Sequence, residues 1–149
     1  MANATGAPQT EPKGIGGWLI LPMLGVLISP LLALRGIVEI VPAFERDLTT
    51  GLKILLVSEI VFNLCLMIGW VVAAVWLFKH KRAFPSLFIT MLVLSFAGPL
   101  VDAVIAVWIF EVQLGSDDYM YLGRGLLVLL ILAPYMARSK RVRNTFVER

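Results

Sequence analysis

Four long apolar stretches constrain the fold of this chain more than any other feature. They cover residues 18–41, 52–78, 84–110 and 119–136, with short charged segments between them. A helix needs about 20 apolar residues to cross the roughly 30 Å hydrocarbon core of a bilayer. Hydrophobic residues make up 59% of the 149-residue chain and charged residues 15%, against about 45–50% and about 25% in soluble domains. The sequence therefore predicts an all-α integral membrane bundle of four transmembrane helices.

The rest of the chain falls into two short terminal segments around this transmembrane domain, which we place at residues 14–137. Residues 1–13 are small, polar and Pro-containing, so we expect a disordered lead. They lack the basic region of a secretory signal, so the first apolar stretch is expected to remain as a span. Residues 138–149 form a basic tail, and no room is left for a separate soluble domain.

Basic residues are distributed unevenly between the two sides of the predicted bundle. Loops on the cytoplasmic side of a membrane are enriched in Lys and Arg, so this bias predicts that both termini are cytoplasmic. The bias also accounts for the net charge of +3 without nucleic acid, and the lipid bilayer is the expected partner. The side with both termini holds nine basic residues, and the opposite loops hold two, Arg46 and Lys53; the nine are Lys13, Lys79, Lys81, Arg82, Arg138, Lys140, Arg141, Arg143 and Arg149.

Charged side chains inside the predicted spans are the main candidates for a functional site. At a rise of about 1.5 Å per residue, Arg35, Glu59, Asp102 and Arg124 lie about 8–12 Å below the outer ends of their spans. An unpaired charge is costly in a bilayer, so we expect Glu59 to pair with Arg35 first and Arg124 second. Asp102 and Arg124 form a second pair by depth. The complete candidate cluster is Arg35, Glu39, Glu59, Asn63, Asp102 and Arg124, while Tyr119 and Tyr121 are expected as interfacial aromatic residues.

The sequence leaves three interpretations of this cluster open. The charges fix the packing and register of the helices, or they line a water-filled pocket for an ion, a proton or a small ligand. In the third interpretation, a surface groove holds the transmembrane helix of a partner. Glu59 and Asn63 are the most site-like pair, because a carboxylate and an amide one helical turn apart can coordinate a cation or relay a proton.

No motif for catalysis or for a cofactor stands out in the chain. The single histidine, His80, lies in the basic segment KHKR and is expected to be solvated. The single cysteine, Cys65, lies mid-span and is expected to be a small buried residue. One residue of each type cannot form the usual His/Cys metal site. We therefore expect no enzymatic activity, no metal and no cofactor.

The basic tail combines arginines with two apolar residues, Val142 and Phe146, spaced i,i+4. Such a segment can lie at the headgroup level of anionic lipids, and the alternative is a short stop signal free in solution. On the first interpretation, the residues that contact headgroups are Arg138, Lys140, Arg141 and Arg143.

Two stretches at opposite ends of the chain carry a family resemblance. GIGGWLILP at residues 14–22 opens the first span, and PYMARSKRVRNTFV at residues 134–147 closes the last. Around four spans, this pairing resembles a family of bacterial inner-membrane proteins known as domain of unknown function 2569. The resemblance implies a four-helix fold in the bacterial plasma membrane and no particular activity. The matching positions, whose roles it leaves unassigned, are Gly16, Gly17, Trp18, Pro134, Tyr135, Ser139, Arg141, Val142, Thr145 and Phe146.

These observations favour a non-enzymatic accessory, assembly or interaction protein of the bacterial inner membrane, acting with a membrane partner or as a homo-oligomer. The alternative is a small transporter or ion-coupled carrier that uses Glu59 and Asp102. Four-span multidrug carriers typically place an essential glutamate in the first span, whereas Glu59 lies in the second, and this difference weakens the alternative.

Overall fold

The structure is a computed structural model that describes residues 17–148. The predicted disordered lead, residues 1–13, lies outside the described residues. Within them the chain is helical and forms no sheet; a single isolated β-bridge joins Lys81 to Glu148. In chain order the helices are α1 (Ile20–Ile40), α2 (Thr50–Phe78), α3 (Phe84–Phe110), α4 (Ser116–Arg138) and α5 (Lys140–Thr145), and short 3₁₀ helices at Gly17–Leu19 and Val41–Glu45 flank α1.

The first four of these helices are long and apolar enough to cross a membrane. This confirms the predicted all-α fold with four membrane-spanning helices. Helix α3 has the bounds expected from the sequence, α2 begins two residues earlier than predicted and ends at Phe78 as predicted, and α1 and α4 differ from the prediction by one to three residues at each end. Side chains mark two of the helix starts: the Leu52 N–H donates to the Thr49 hydroxyl at 3.4 Å, and the Gly115 N–H donates to the Asp118 carboxylate at 2.8 Å. Both interactions satisfy backbone groups that a helix start leaves unpaired.

Consecutive helices pack side by side and run in alternating directions. Helix α1 packs on α2, α2 on α3, and α3 on α4, whereas α1 and α4 make few direct contacts. The end of the bundle that holds residue 17, the α2–α3 connection and the tail is called the terminal end. The opposite end, with the other two connections, is called the distal end.

The buried core lies mainly toward the terminal end. The buried residues of α3 are Phe84, Phe88 and Met91, all within its first eight positions. The one buried residue of α4 is Met136, two positions before the helix ends. Residues 92–110 and 116–135 contribute no buried side chain. Side chains in the distal parts of α3 and α4 are therefore much less buried by the described chain than those near the terminal end.

Aromatic rings connect the tail to the middle of the bundle. Phe146 packs on Phe84 with ring centroids 4.6 Å apart, and Phe84 packs on Phe88 at 5.8 Å. Phe88 meets Trp70 of α2 edge-on at 5.6 Å. The Trp70 indole N–H then donates to the Ser95 hydroxyl of α3 at 3.2 Å. These contacts tie α2, α3 and the tail together where the core is densest.

Farther toward the distal end, α2 approaches its neighbours at two glycines. A Cβ atom at Gly98 of α3 would overlap the Phe62 ring, and a Cβ atom at Gly36 of α1 would lie 3.3 Å from the Asn63 side-chain oxygen. Small residues allow membrane helices to come close in this way. Adjacent residues of α2 therefore contact α3 on one side and α1 on the other.

Candidate functional site

Polar side chains from all four membrane-spanning helices lie in the distal half of the bundle. We call this set the distal polar layer. Its members come from α1, α2, α3 and α4, and the set contains every ionisable residue singled out inside the spans. They are Arg35 and Glu39, Glu59, Asp102, and Tyr121 and Arg124, in that helix order.

Arg35 forms its ion pair within α1. Its Nε atom lies 2.7 Å from Oε1 of Glu39, one helical turn away, and the two side chains are 72% and 59% exposed. The prediction that Arg35 pairs with Glu59 is therefore wrong. Residues spaced i,i+4 lie next to each other on one helix, so Arg35 can pair with Glu39 without a second helix close by. Glu39, and not Glu59, is therefore the carboxylate within ion-pair distance of Arg35.

Glu59 of α2 and Asp102 of α3 are half-buried and lie close enough for their carboxylates to interact. Neither forms an ion pair with an arginine among residues 17–148. The predicted pairs of Arg124 with Glu59 and with Asp102 are therefore not formed. Two acidic groups on neighbouring helices thus lie within electrostatic range of each other.

Asn63 uses its amide on its own helix. Its Nδ2 atom donates to the backbone carbonyl of Glu59 at 3.0 Å, and its oxygen packs beside Gly36. The predicted association of the Glu59 and Asn63 side chains is thus replaced by a bond to the main chain. Asn63 contributes to the contact between α1 and α2 rather than to a shared carboxylate–amide site.

Tyr121 belongs to the distal polar layer, although the sequence predicted only an interfacial aromatic residue. Its phenol lies within electrostatic reach of Glu59 and Glu39, and the side chain is 63% exposed. The spacing of Tyr121, one helical turn from Arg124, was the feature of the sequence that could have placed it in this layer. A hydroxyl from α4 therefore joins the carboxylates of α1 and α2.

The depth of these groups explains how the carboxylates are tolerated. At about 1.5 Å per residue, Glu59 lies about 28 Å from the terminal end of α2 at Phe78. Asp102 lies about 27 Å from the terminal end of α3 at Phe84. Because the hydrocarbon core is about 30 Å thick, both carboxylates fall near its far boundary. The 29 residues of α2 exceed the length needed to reach that boundary.

Arg124 lies closer to the terminal end of its helix than the two carboxylates lie to the terminal ends of theirs, and it forms no ion pair with residues 17–148. It is about 21 Å along α4 from Arg138, well inside the same hydrocarbon thickness. Its side chain is exposed and forms no ion pair with residues 17–148. A Cβ atom at the adjacent Gly123 would meet nothing within 4 Å. This part of α4 therefore presents a charge and a small residue to the outside of the chain.

At the terminal end, the two stretches that carry the family resemblance meet. Gly17 has a φ of +58°, a conformation that side chains rarely adopt. A Cβ atom there would also collide with the Arg141 guanidinium. The backbone conformation therefore favours glycine at residue 17, and the absence of a side chain lets the Arg141 guanidinium come close.

The tail packs onto the bundle through its two apolar residues. Val142 and Phe146 are 0% and 3% exposed and belong to the protein core. The prediction that their apolar side chains face the bilayer is therefore wrong, because both side chains pack in the protein core with Phe84. Among the four predicted headgroup contacts, Arg141 is half-buried, and the exposed ones are Arg138, Lys140 and Arg143.

His80 lies in the loop after α2, and the end of the tail hydrogen-bonds to this loop. It has a left-handed φ of 49°, and the Lys81 N–H reaches back to the Trp76 carbonyl at 3.0 Å, as in a Schellman helix end. The His80 carbonyl accepts from the Glu148 N–H at 3.2 Å, and the imidazole lies 6.2 Å from the Phe146 ring. His80 is half-buried, not solvated as predicted, whereas Cys65, predicted to be buried, is exposed.

Comparison with family models classifies the chain. The model for the family described as Protein of unknown function (DUF2569) matches residues 12–147. The chain belongs to this family. No curated protein and no solved structure gives a match. The family match confirms the resemblance predicted from the opening and closing stretches.

In this DUF2569 chain, the described positions that carried the resemblance cluster at the terminal end. Ser139 accepts from the Val142 N–H at 3.5 Å and begins α5, and the Thr145 hydroxyl donates to the Arg141 carbonyl at 2.8 Å. Gly17 makes room for Arg141. These residues build the terminal end of the DUF2569 bundle, and none of them belongs to the distal polar layer.

Proposed function

We propose that this DUF2569 protein is a non-enzymatic interaction or assembly subunit of the bacterial inner membrane. Its terminal end contains most of the buried core. In the distal half, α4 binds the transmembrane segment of a partner. The partner is another membrane protein or a second copy of the chain. The four membrane-spanning helices and the sparse burial of α3 and α4 beyond their terminal ends support this proposal.

Arg124 is the observation that carries the proposal. An arginine at the centre of a membrane helix costs about 2.5–3.5 kcal/mol on insertion scales, and Arg124, which lies between the centre and the distal boundary, incurs part of that cost. No carboxylate among residues 17–148 pairs with it, so the chain itself does not offset that cost. An acidic residue on a partner helix would do so, and the open space beside Gly123 allows a second helix to approach.

The basic-residue bias supports an orientation for this arrangement. With nine basic residues on the side of the termini and two on the other, both termini lie in the cytoplasm under the positive-inside rule. The distal polar layer then faces the periplasmic half of the membrane. A partner is expected to carry its acidic residue in that half.

Co-purification in a gentle detergent tests the proposal. The protein as it exists is purified from its native membranes alongside Arg124→Leu, Arg124→Lys and the control Arg138→Leu, which removes an exposed arginine at the helix end. Breaking a charge pair in an interface costs about 2–5 kcal/mol, or roughly 30-fold or more in affinity. We expect Arg124→Leu to lose a stoichiometric partner or the dimer, Arg124→Lys to retain part of it, and Arg138→Leu to retain all of it. Equal recovery with all variants would contradict the proposal.

The proximity of Glu59 and Asp102 favours a second candidate function, a cation-coupled carrier. Two carboxylates on neighbouring helices, without an arginine paired to either among residues 17–148, are suited to exchanging a proton or a small cation. Flux of protons and sodium into liposomes that contain the protein tests this candidate. Uptake that Glu59→Gln and Asp102→Asn both abolish would support it, and liposomes as tight as empty ones would reject it.

A further inference from the structure

A cavity of about 600 Å³ opens at the terminal end, between the start of α3, the end of α4 and the docked tail. It is separate from the distal polar layer. Its lining combines basic and hydroxyl groups with apolar side chains, and none of the lining residues among 17–148 is acidic. The residues that matter here are Arg82, Ser86, Ile89, Met136, Arg143 and Phe146.

The polar side of the cavity is suited to an anion. Arg82 and Arg143 come from different segments, the α2–α3 connection and α5, and neither forms an ion pair within residues 17–148. Ser86 lies in the first turn of α3, which begins at Phe84. Pro85 has no N–H and the Phe84 N–H donates to the Lys81 carbonyl at 3.0 Å, so this helix start favours negative charge through the helix dipole and not through a set of free N–H donors. Two guanidinium groups, a hydroxyl and a helix start thus line one cavity.

Apolar side chains form the rest of the lining, which we call the apolar wall. Met136 and Phe146 are buried at 1% and 3% exposure. Ile89 lies five positions beyond Phe84, or about 8 Å farther along α3. The lining therefore extends from the basic α2–α3 connection to a point about 8 Å along α3.

We propose that this cavity binds one anionic glycerophospholipid of the leaflet on the terminal side. The phosphate lies between Arg82 and Arg143, and the first part of an acyl chain lies against Ile89 and Met136. Basic pockets beside membrane helices bind anionic headgroups by this combination of charge and apolar contact. A choline headgroup would bring a cation toward two arginines, and inorganic phosphate would leave the apolar wall in contact with water. The proposal does not depend on Arg124 or on a partner protein.

Native mass spectrometry of the full chain tests the lipid. The protein is equilibrated in mixed micelles with equal amounts of phosphatidylglycerol and phosphatidylcholine of the same chain length. We expect one phosphatidylglycerol to be retained in preference to phosphatidylcholine. The double variant Arg82→Gln/Arg143→Gln should lower that preference by about tenfold or more, given the contribution of each basic residue near a lipid surface. The matched control Arg138→Gln/Lys140→Gln removes the same charge outside the cavity and should leave the preference unchanged.

Two further arms separate the possible explanations. Ile89→Trp fills the apolar wall and keeps both arginines, so it should weaken retention of the long-chain lipid. An excess of inorganic phosphate should not displace the lipid from the unaltered protein. An equal loss in the control double variant would show diffuse attraction and overturn the proposal. Displacement by inorganic phosphate, or full retention by Ile89→Trp, would overturn it as well. Variants are compared only where their thermal unfolding matches that of the parent.

Discussion

At the scale of single residues, the partner of a charged side chain depends strongly on which helix carries it. Arg35 binds Glu39 one turn away on α1, while Glu59 of α2 lies within electrostatic range of Asp102 of α3. Depth along a span can be read from sequence. An ion pair also requires the rotation of each helix about its axis and the choice among several partners. Those quantities arise from packing, so the individual pairs could not be predicted.

A double-mutant cycle tests this pairing at the residue scale. Arg35→Gln, Glu39→Gln and Glu59→Gln are combined in pairs, and the free energy of unfolding is measured in mixed micelles. We expect Arg35 and Glu39 to be coupled by about 0.2–1 kcal/mol, as for other exposed pairs, and Arg35 and Glu59 to be uncoupled. A coupling of roughly 3–5 kcal/mol between Arg35 and Glu59, typical of losing one member of a buried pair, would show that the assigned partner is wrong.

At the scale of elements, the sequence predicted the long helices well and the tail poorly. Hydropathy sets the length of a membrane-spanning helix, so α3 has the predicted bounds, 84–110. The tail has only Val142 and Phe146 as apolar residues on one face. The same pattern suits a segment on lipid and a segment on protein, because both surfaces accept apolar side chains. The tail packs on protein because Phe84 at the terminal end contacts Phe146, and this contact depends on the three-dimensional fold.

Truncating Phe146 tests the docking of the tail. Phe146→Ala should lower the free energy of unfolding by about 3–5 kcal/mol, the usual cost of removing a buried phenylalanine side chain. Val147→Ala is the matched control, because Val147 is adjacent but 63% exposed, and it should change stability by less than about 0.5 kcal/mol. Thermal or denaturant unfolding in detergent provides the measurement. Two variants of equal stability would mean that the tail is not packed on the bundle.

At the scale of the whole molecule, burial is concentrated toward one end. The aromatic contacts and most buried side chains lie at the terminal end, and the distal polar layer lies where α3 and α4 are little covered. Hydropathy is high along all four spans, so it gave no sign of this difference. The four-helix fold could therefore be predicted, but the location of the core and of the uncovered surface could not.

Reporter fusions test the orientation of the whole molecule. A reporter that is active only in the periplasm is placed after Arg149 and, in a second fusion, after Gln113 in the α3–α4 connection. The bias in basic residues predicts activity after Gln113 and none after Arg149. A cytoplasm-active reporter at the same two sites should give the reverse pattern. Periplasmic activity at the C-terminus would reverse the orientation of the bundle.

Photocrosslinking from α4 in native membranes tests most directly whether the distal half binds a partner. A photoreactive amino acid replaces Leu127, which is 60% exposed and one turn from Gly123, and the matched probe replaces the buried Phe88 at the terminal end. The account predicts a single protein adduct from residue 127, either with one partner or with a second copy. That adduct should disappear when Arg124→Leu is added, and the probe at residue 88 should give no intermolecular adduct. Only lipid adducts from residue 127, or a protein adduct that persists without Arg124, would contradict it.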